Sequence, residues 1–241
     1  MRRVSLILPF LLTRLLFAEP AVAPASKLSH ESEASAVLAS GNTDARTFAL
    51  KQSTAYQWDK NKGTFTGSLL YGKSGGIESA RKWDLGVRFD RELSEVMGLF
   101  LGYQIDGNIF SGFESRHTVD LGGKYYFIRT DETKLSTEAG YRYQAEKLTS
   151  QTTNNNHMGR AFLEWTNAWN KQVNSKVGTE FTYNFSTRND YRINAEPSLS
   201  VILTDVLSIK LAYLINFRNL PAVAGKKQLD TLYTTSLVAK L

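Results

Sequence analysis

Between Leu207 and Phe217 every odd position is apolar or aromatic, while the even positions are Ser208, Lys210, Ala212, Leu214 and Asn216. A period of two, greasy on one face and mostly small, polar or charged on the other, belongs to a β-strand. The pattern recurs along most of the chain about every eighteen residues, and about ten alternating residues per segment is the length of a tilted membrane-crossing strand. The chain therefore reads as all-β, a transmembrane antiparallel up-and-down β-barrel of about twelve strands.

A soluble sandwich or lipocalin-like barrel could be built from similar strands, with its apolar faces turned inward. Composition leaves both open: 241 residues at 42% hydrophobic and 22% charged suffice for one core or one closed barrel. A mean hydropathy of −0.29 does not exclude a membrane barrel, because alternating strands average to mild polarity. No apolar run reaches the roughly twenty residues of a helical span. Cysteine is absent, which removes disulfides, thiolate metal sites, cysteine nucleophiles and lipoprotein acylation.

Residues 1–25 read as a signal peptide. Arg2 and Arg3 precede an uncharged stretch from Val4 to Thr13, and Ala18 or Ala23 to Ala25 offer small residues for cleavage. Arg14 interrupts the apolar stretch and Pro24 disfavours cleavage directly after Ala23; the stretch is too short for an anchor helix. Its loss removes three arginines against Glu19, so the net charge falls from +6 to +4, too small an excess to indicate nucleic acid.

The remaining chain, 26–241, is expected to form the barrel. Turn signals divide it into strands at 30–41, 45–58, 63–72, 80–91, 97–106, 116–128, 134–144, 159–169, 173–185, 190–203, 206–217 and 229–241. Even-numbered connections (59–62, 91–95, 129–133, 170–172, 204–205) are short and charged. Most odd-numbered ones (73–79, 107–115, 145–158, 218–228) are longer and rich in Gly, Asn and Ser, with a tight first turn at Gly41, Asn42, Thr43 and Asp44. Short inner turns and long outer loops are the outer-membrane arrangement, and an even strand count leaves both termini inside.

One face carries Trp83, Leu85, Val87, Phe89, Leu99, Leu101, Tyr103, Ile105, Val119, Leu121, Tyr125, Phe127, Val177, Phe181, Tyr183 and Phe185, besides the odd positions of 207–215, and is assigned to lipid. The other carries Asp84, Arg88, Asp106, Asp120, Lys124, Glu138, Arg142, Glu164, Lys176, Glu180, Arg192, Glu196, Lys210 and Asp230, together with Gln104. So many ionisable groups cannot fill a dry core, but they can line a hydrated lumen. Opposite signs recur four residues apart on one face at Asp84/Arg88, Asp120/Lys124, Glu138/Arg142, Lys176/Glu180 and Arg192/Glu196. Rings of one sign would favour a selective pore, whereas this balance favours cross-strand ion pairs filling a narrow interior. Tyr56, Trp58, Tyr71, Tyr141, Tyr143, Trp165, Trp169, Tyr191 and Tyr233 fall near strand ends, as in interfacial girdles.

Three stretches resemble the family of salt-induced outer-membrane proteins, domain of unknown function 481. They are Ser40 to Arg46; Gly102 to Asp106 through Phe110, Ser111, Gly112 and Phe113 to Arg116 and Gly122; and Leu220-Pro221 through Gly225 to Leu229, Asp230 and Thr231. The resemblance covers most of the mature chain and implies an outer-membrane barrel of undefined biochemical role, with no catalytic residues to carry over. The C-terminal strand of this class usually ends in an aromatic residue read by the barrel-assembly machinery; here the chain ends in Leu241, which keeps the alternation with Leu237 and Ala239.

Gly41, Asn42 and Asp44 are read as turn chemistry, the alternative being an ion or ligand site. Asp106, Arg116 and Asp230 stand near loop junctions, where they would hold outer loops or bind an external ligand. Hydrolysis is disfavoured: the histidines are His30, His117 and His157, and even His117, two residues after Ser115, lacks a compact nucleophile motif. No spacing suggests a metal or cofactor, and Gly225-Lys226-Lys227 is not a phosphate loop. Asn154 to Asn156 read as a solvated tract in the largest outer loop. The expected partners are outer-membrane lipid and the assembly machinery, with the barrel a monomer. Two functions remain, a structural or stress-related envelope barrel with at most small-solute passage, and a surface receptor acting through its outer loops.

Overall fold

A computed structural model describes residues 28–39, 45–221, 225 and 227–241. Among them run β1 (Leu28–Ala39), β2 (Ala45–Trp58), β3 (Asn61–Ser74), β4 (Ile77–Glu92), β5 (Met97–Asn108), β6 (Phe113–Arg129), β7 (Thr133–Leu148), β8 (Thr153–Ala168), β9 (Val173–Asn184), β10 (Tyr191–Ile202), β11 (Leu207–Arg218) and β12 (Leu229–Lys240). Each strand pairs antiparallel with its sequence neighbours, and β1 meets β12 to close the barrel. Closure pairs every strand on both sides, β1 with β12 over part of its length, and so removes most of the free edge that a sheet in lipid cannot leave bare. The proposed signal peptide and the Gly41, Asn42 and Asp44 turn lie outside the described residues.

The alternation turns outward as the sequence implies. Leu85, Val87, Leu99, Leu101, Leu121 and Phe127 are each about half exposed on the outer wall. Apolar side chains left bare on that scale are stable in hydrocarbon and not in water. Aromatic pairs mark both edges of this wall: Tyr56, Trp58 and Phe89, with Trp165 and Trp169, at the inner turns, and Tyr141, Tyr143 and His157, with Tyr191 and Phe217, at the outer end.

The outer ends depart from expectation. β3 and β4 continue to a two-residue hairpin at Gly75 and Gly76, whose φ of 56° and 76° suit glycine. β7 and β8 likewise continue to a turn at 149–152, so Asn154, Asn155 and Asn156 belong to β8 and not to a solvated loop. Asn156 is buried, and its side-chain oxygen accepts from Asn184 Nδ2 at 2.8 Å. Polar strand ends read as loop because lumen-facing and loop residues share a composition. The asymmetry between the two rims is accordingly smaller than expected, with 185–190 and 219–228 the longer outer connections.

Candidate functional site

The candidate site is the lumen, which alternation fills with charge. On β7, Glu138, Arg142 and Glu146 point inward at successive depths, and residues of other strands around the lumen answer them. Glu138 accepts from Arg88 of β4 at 2.7 Å and from Arg160 of β8 at 2.8 Å. Arg160 also donates to Glu180 of β9 at 2.6 Å. Glu180 takes both arms of Arg142 at 2.9 Å, and Arg142 donates to Asp120 of β6 at 2.6 and 2.7 Å. Arg88 closes the other end on Asp90. Planar guanidinium forks give these bonds direction, so the chain of pairs is a fixed lattice rather than a charged fluid.

An aromatic ring supports the lattice from below. Phe100 is buried in the lumen, with the Arg88 and Arg160 guanidinium carbons 4.4 and 5.4 Å from its ring centre. Gly122 and Gly140 face each other across β6 and β7 and make the room: a Cβ on Gly122 would stand 2.9 Å from Phe100 and 2.4 Å from the Ala139 carbonyl oxygen.

A second layer lies nearer the outer mouth. Glu146, fully buried, meets Arg218 at 3.2 Å and Arg116 at 3.7 Å, and Arg116 donates to Asp106 at 2.7 Å. Arg192 donates to Gln144 at 2.8 Å and meets Asp190 at 3.4 Å. Asp190 belongs to the 185–190 connection. Burial opposes its ionisation, but Arg192, the Asn184 amide and Arg218 outweigh that and hold its carboxyl below the usual range. A third group lines the opposite wall, where Lys210 joins Glu33 at 3.2 Å and Glu196 at 2.8 Å, and Lys51 reaches Glu196 at 3.4 Å.

Most of the sequence-assigned lumen residues fall into these groups. Asp84 accepts from Ser68, Lys124 lies 3.8 Å from Glu138, and Lys176 pairs with Glu164 at 2.7 Å in a more open position. Asp230 sits at the mouth, 3.5 Å from the Ser111 hydroxyl. The pairs four apart on one strand are not the bonded ones, since four residues of strand span about 13 Å; apart from Arg88 and Asp90, two apart on β4, the partners come from other strands, several of them two or three strands away. Asp90, Arg160 and Glu33 were missed, although Asp90 and Arg160 share the parity of Arg88 and Glu164. Glu146 was lost to the overlong loop. A cavity of about 220 Å³ remains beside the lattice, lined by Thr64, Thr66, Gln104, Thr118, Asp120 and Arg142 among others.

The histidines lie elsewhere. His117 bonds the Tyr103 hydroxyl at 2.8 Å on the outer wall, His157 bonds Tyr141, and His30 bonds Thr54 at 2.9 Å.

The sequence profile of the protein family of unknown function DUF481 matches residues 32–241. The chain belongs to this family. No curated protein matches the DUF481 chain. Its structure is similar to the outer membrane channel COG4313 from Pseudomonas putida F1, at 11% identity and TM-score 0.54, covering 92% of this chain and 98% of that one. It is similar to the NanC porin at 12% identity and TM-score 0.51 (88% and 97% covered), and to the translocator domain of the autotransporter NalP from Neisseria meningitidis at 12% and 0.51 (90% and 88%). At such identity the likeness is one of fold. With the apolar outer wall, it makes the DUF481 chain an outer-membrane β-barrel.

Proposed function

We propose that the protein is a structural barrel of the bacterial envelope whose lumen is sealed by ion pairs and passes at most small solutes. The observation that carries this is the bonded chain Asp90, Arg88, Glu138, Arg160, Glu180, Arg142 and Asp120, which crosses the lumen face from β4 to β9. With Lys124 included, four cations meet four carboxylates, so this layer offers neither sign an advantage. The adjoining cavity, at about 30 Å³ of liquid volume per water, has room for about seven molecules, a volume suited to hydration or a small solute. The barrel closes within one chain, which supports a monomer inserted in outer-membrane lipid by the assembly machinery. A role under envelope stress has the family resemblance as its support. The outward, tyrosine-bonded histidines supply no nucleophile and base pair, which favours a non-enzymatic role.

Planar-bilayer conductance tests the reading. Wild-type protein is expected to give no more than small steps, and Arg142→Ala to give larger, repeatable ones. Large charge-selective steps from the wild type would overturn it.

A further inference from the structure

The ladder that closes the barrel stops halfway. β1 and β12 pair from Glu31 with Lys240 to Ala34 with Leu237, although β1 runs on to Ala39 and β12 begins at Leu229. Below, the clasp is firm. His30 and Leu241 exchange both backbone bonds at 2.8 and 2.9 Å, Lys240 meets Glu31 at 3.0 Å, and buried Glu33 accepts the Ser236 hydroxyl at 2.7 Å. Above, among the described residues, no ladder bond joins Ser35 to Leu38 with the facing edge of β12. On β1 the alternation of exposure is lost there too, with Val37, on the lumen parity, 60% exposed beside lipid-side Leu38 at 69%; β12 keeps its alternation, with lipid-side Tyr233 at 62%.

Depth assigns this gap to one leaflet. Leu28 pairs with Tyr56 of the inner aromatic girdle. Ala34, six residues further on, stands about 15 Å above it, taking ~3.3 Å per residue and a strand tilt of ~40°. That is close to the middle of an apolar band ~25 Å tall, so the gap faces the outer leaflet. Unpaired strand edges are not tolerated against hydrocarbon; they require water or a hydrogen-bonding ligand. Directly below the gap lies an open groove of about 570 Å³ whose lining is mostly apolar, with Ala34, Leu50, Phe65, Leu69, Leu85 and Leu237 on the lipid parity; Ser32, Gln52 and the lumen-side Glu33 and Lys51 also border it, and Gly67 leaves it unfilled. Polar edges thus lie above an apolar trough, the orientation of an outer-leaflet amphiphile, head outward and tail towards the midplane.

We propose that this seam binds a single-chain amphiphile laterally, its hydrogen-bonding head between the free edges of β1 and β12 and its tail in the groove. The site is independent of whether the lumen conducts. Continuing the existing register would set Leu38 opposite Tyr233 and Val37 opposite Thr234, so the seam can shut without a slip of either strand.

The test uses the whole barrel in vesicles containing a single-chain phospholipid with a photoreactive diazirine in its head, followed by mass spectrometry; heat-modified migration confirms that each variant is folded. Labelling is expected on residues 35–39 and 229–236. It should be lost when Leu38→Cys and Tyr233→Cys are bridged, by oxidation or a short bis-maleimide, and lost again in Ala34→Trp, which fills the groove from the lipid side. Bridging Ser32→Cys to Ala239→Cys, where the strands already pair, should leave it intact; the chain has no cysteine of its own. Labelling spread evenly around the belt overturns the proposal, as does labelling of Val37 and Thr234 that survives the bridge. Cross-links between two copies of the Leu38→Cys, Tyr233→Cys variant, in place of the bridge within one chain, would assign the gap to a second chain and overturn it equally.

Discussion

Glu138 is the residue on which the middle of the lumen turns, because two guanidinium groups from different strands converge on one nearly inaccessible carboxylate. Removing one partner of a buried pair leaves the other charge uncompensated, at a cost of about 3–5 kcal/mol. Glu138→Gln is therefore expected to lower the urea midpoint of the detergent-folded barrel, read by the loss of the heat-modifiable band, and more than Glu164→Gln, whose partner Lys176 is largely exposed. Gly140→Val should be destabilising by about 1–3 kcal/mol through overpacking, since a Cβ there would stand 2.3 Å from the Leu121 carbonyl oxygen, a backbone atom that cannot step aside. Asp190 sets a pH limit. Its folded carboxyl titrates below its ordinary value, so its contribution is complete above the unfolded carboxylate's pKa near 4 and is lost only as pH falls through the lower folded value. Protection from hydrogen exchange in 185–190, taken relative to the intrinsic rate at each pH, should thus stay unchanged from pH 7 to 5 and fall below pH 4, and Asp190→Asn should show the reduced protection already at pH 7. The inward charges were legible one residue at a time because parity is local. Their pairing was not, since Arg88 and Glu138 lie fifty positions apart and only the register of the intervening strands joins them.

At the level of the strand, alternation carried the prediction and composition limited it. All twelve segments are present, and inner ends such as those of β2 at Trp58 and β5 at Met97 coincide with the expected ones. Charged turn residues end those strands unambiguously. The outer ends of β3 to β8 run further than alternation indicates, because residues such as Lys73, Ser74, Asn154 and Asn155 satisfy both a loop and a polar rim, and only pairing partners across the ladder show that they are strand; those of β9 to β12 agree to within a residue. The strand faces make a direct prediction. Arginine at Leu101 or Leu211, both on the lipid face, should destabilise by about 2–4 kcal/mol near mid-belt. At Gln104, which borders the lumen cavity, the same change should have a much smaller effect in the same urea titration. Equal losses at the three positions would contradict the assignment, and a larger loss at Gln104 than at Leu101 and Leu211 would mean that the faces are the wrong way round.

For the molecule as a whole, the barrel is defined more by what fills it than by what projects from it. Loops were expected to distinguish the two rims, yet several outer connections are as tight as the inner ones, and the buried charge layers carry the distinctive structure. A receptor built on outer loops would have residues 219–228 and 185–190 as its main surface, whereas a sealed wall depends on the ion-pair lattice between β4 and β9. Liposome swelling in isotonic solutions of uncharged solutes of graded size tests that central claim most directly. The sealed lumen predicts that wild-type vesicles exclude monosaccharides and admit at most glycerol-sized molecules, while Arg142→Ala or Glu138→Gln vesicles swell faster in both. Rapid swelling of wild-type vesicles in monosaccharide, unaltered by either substitution, would contradict it.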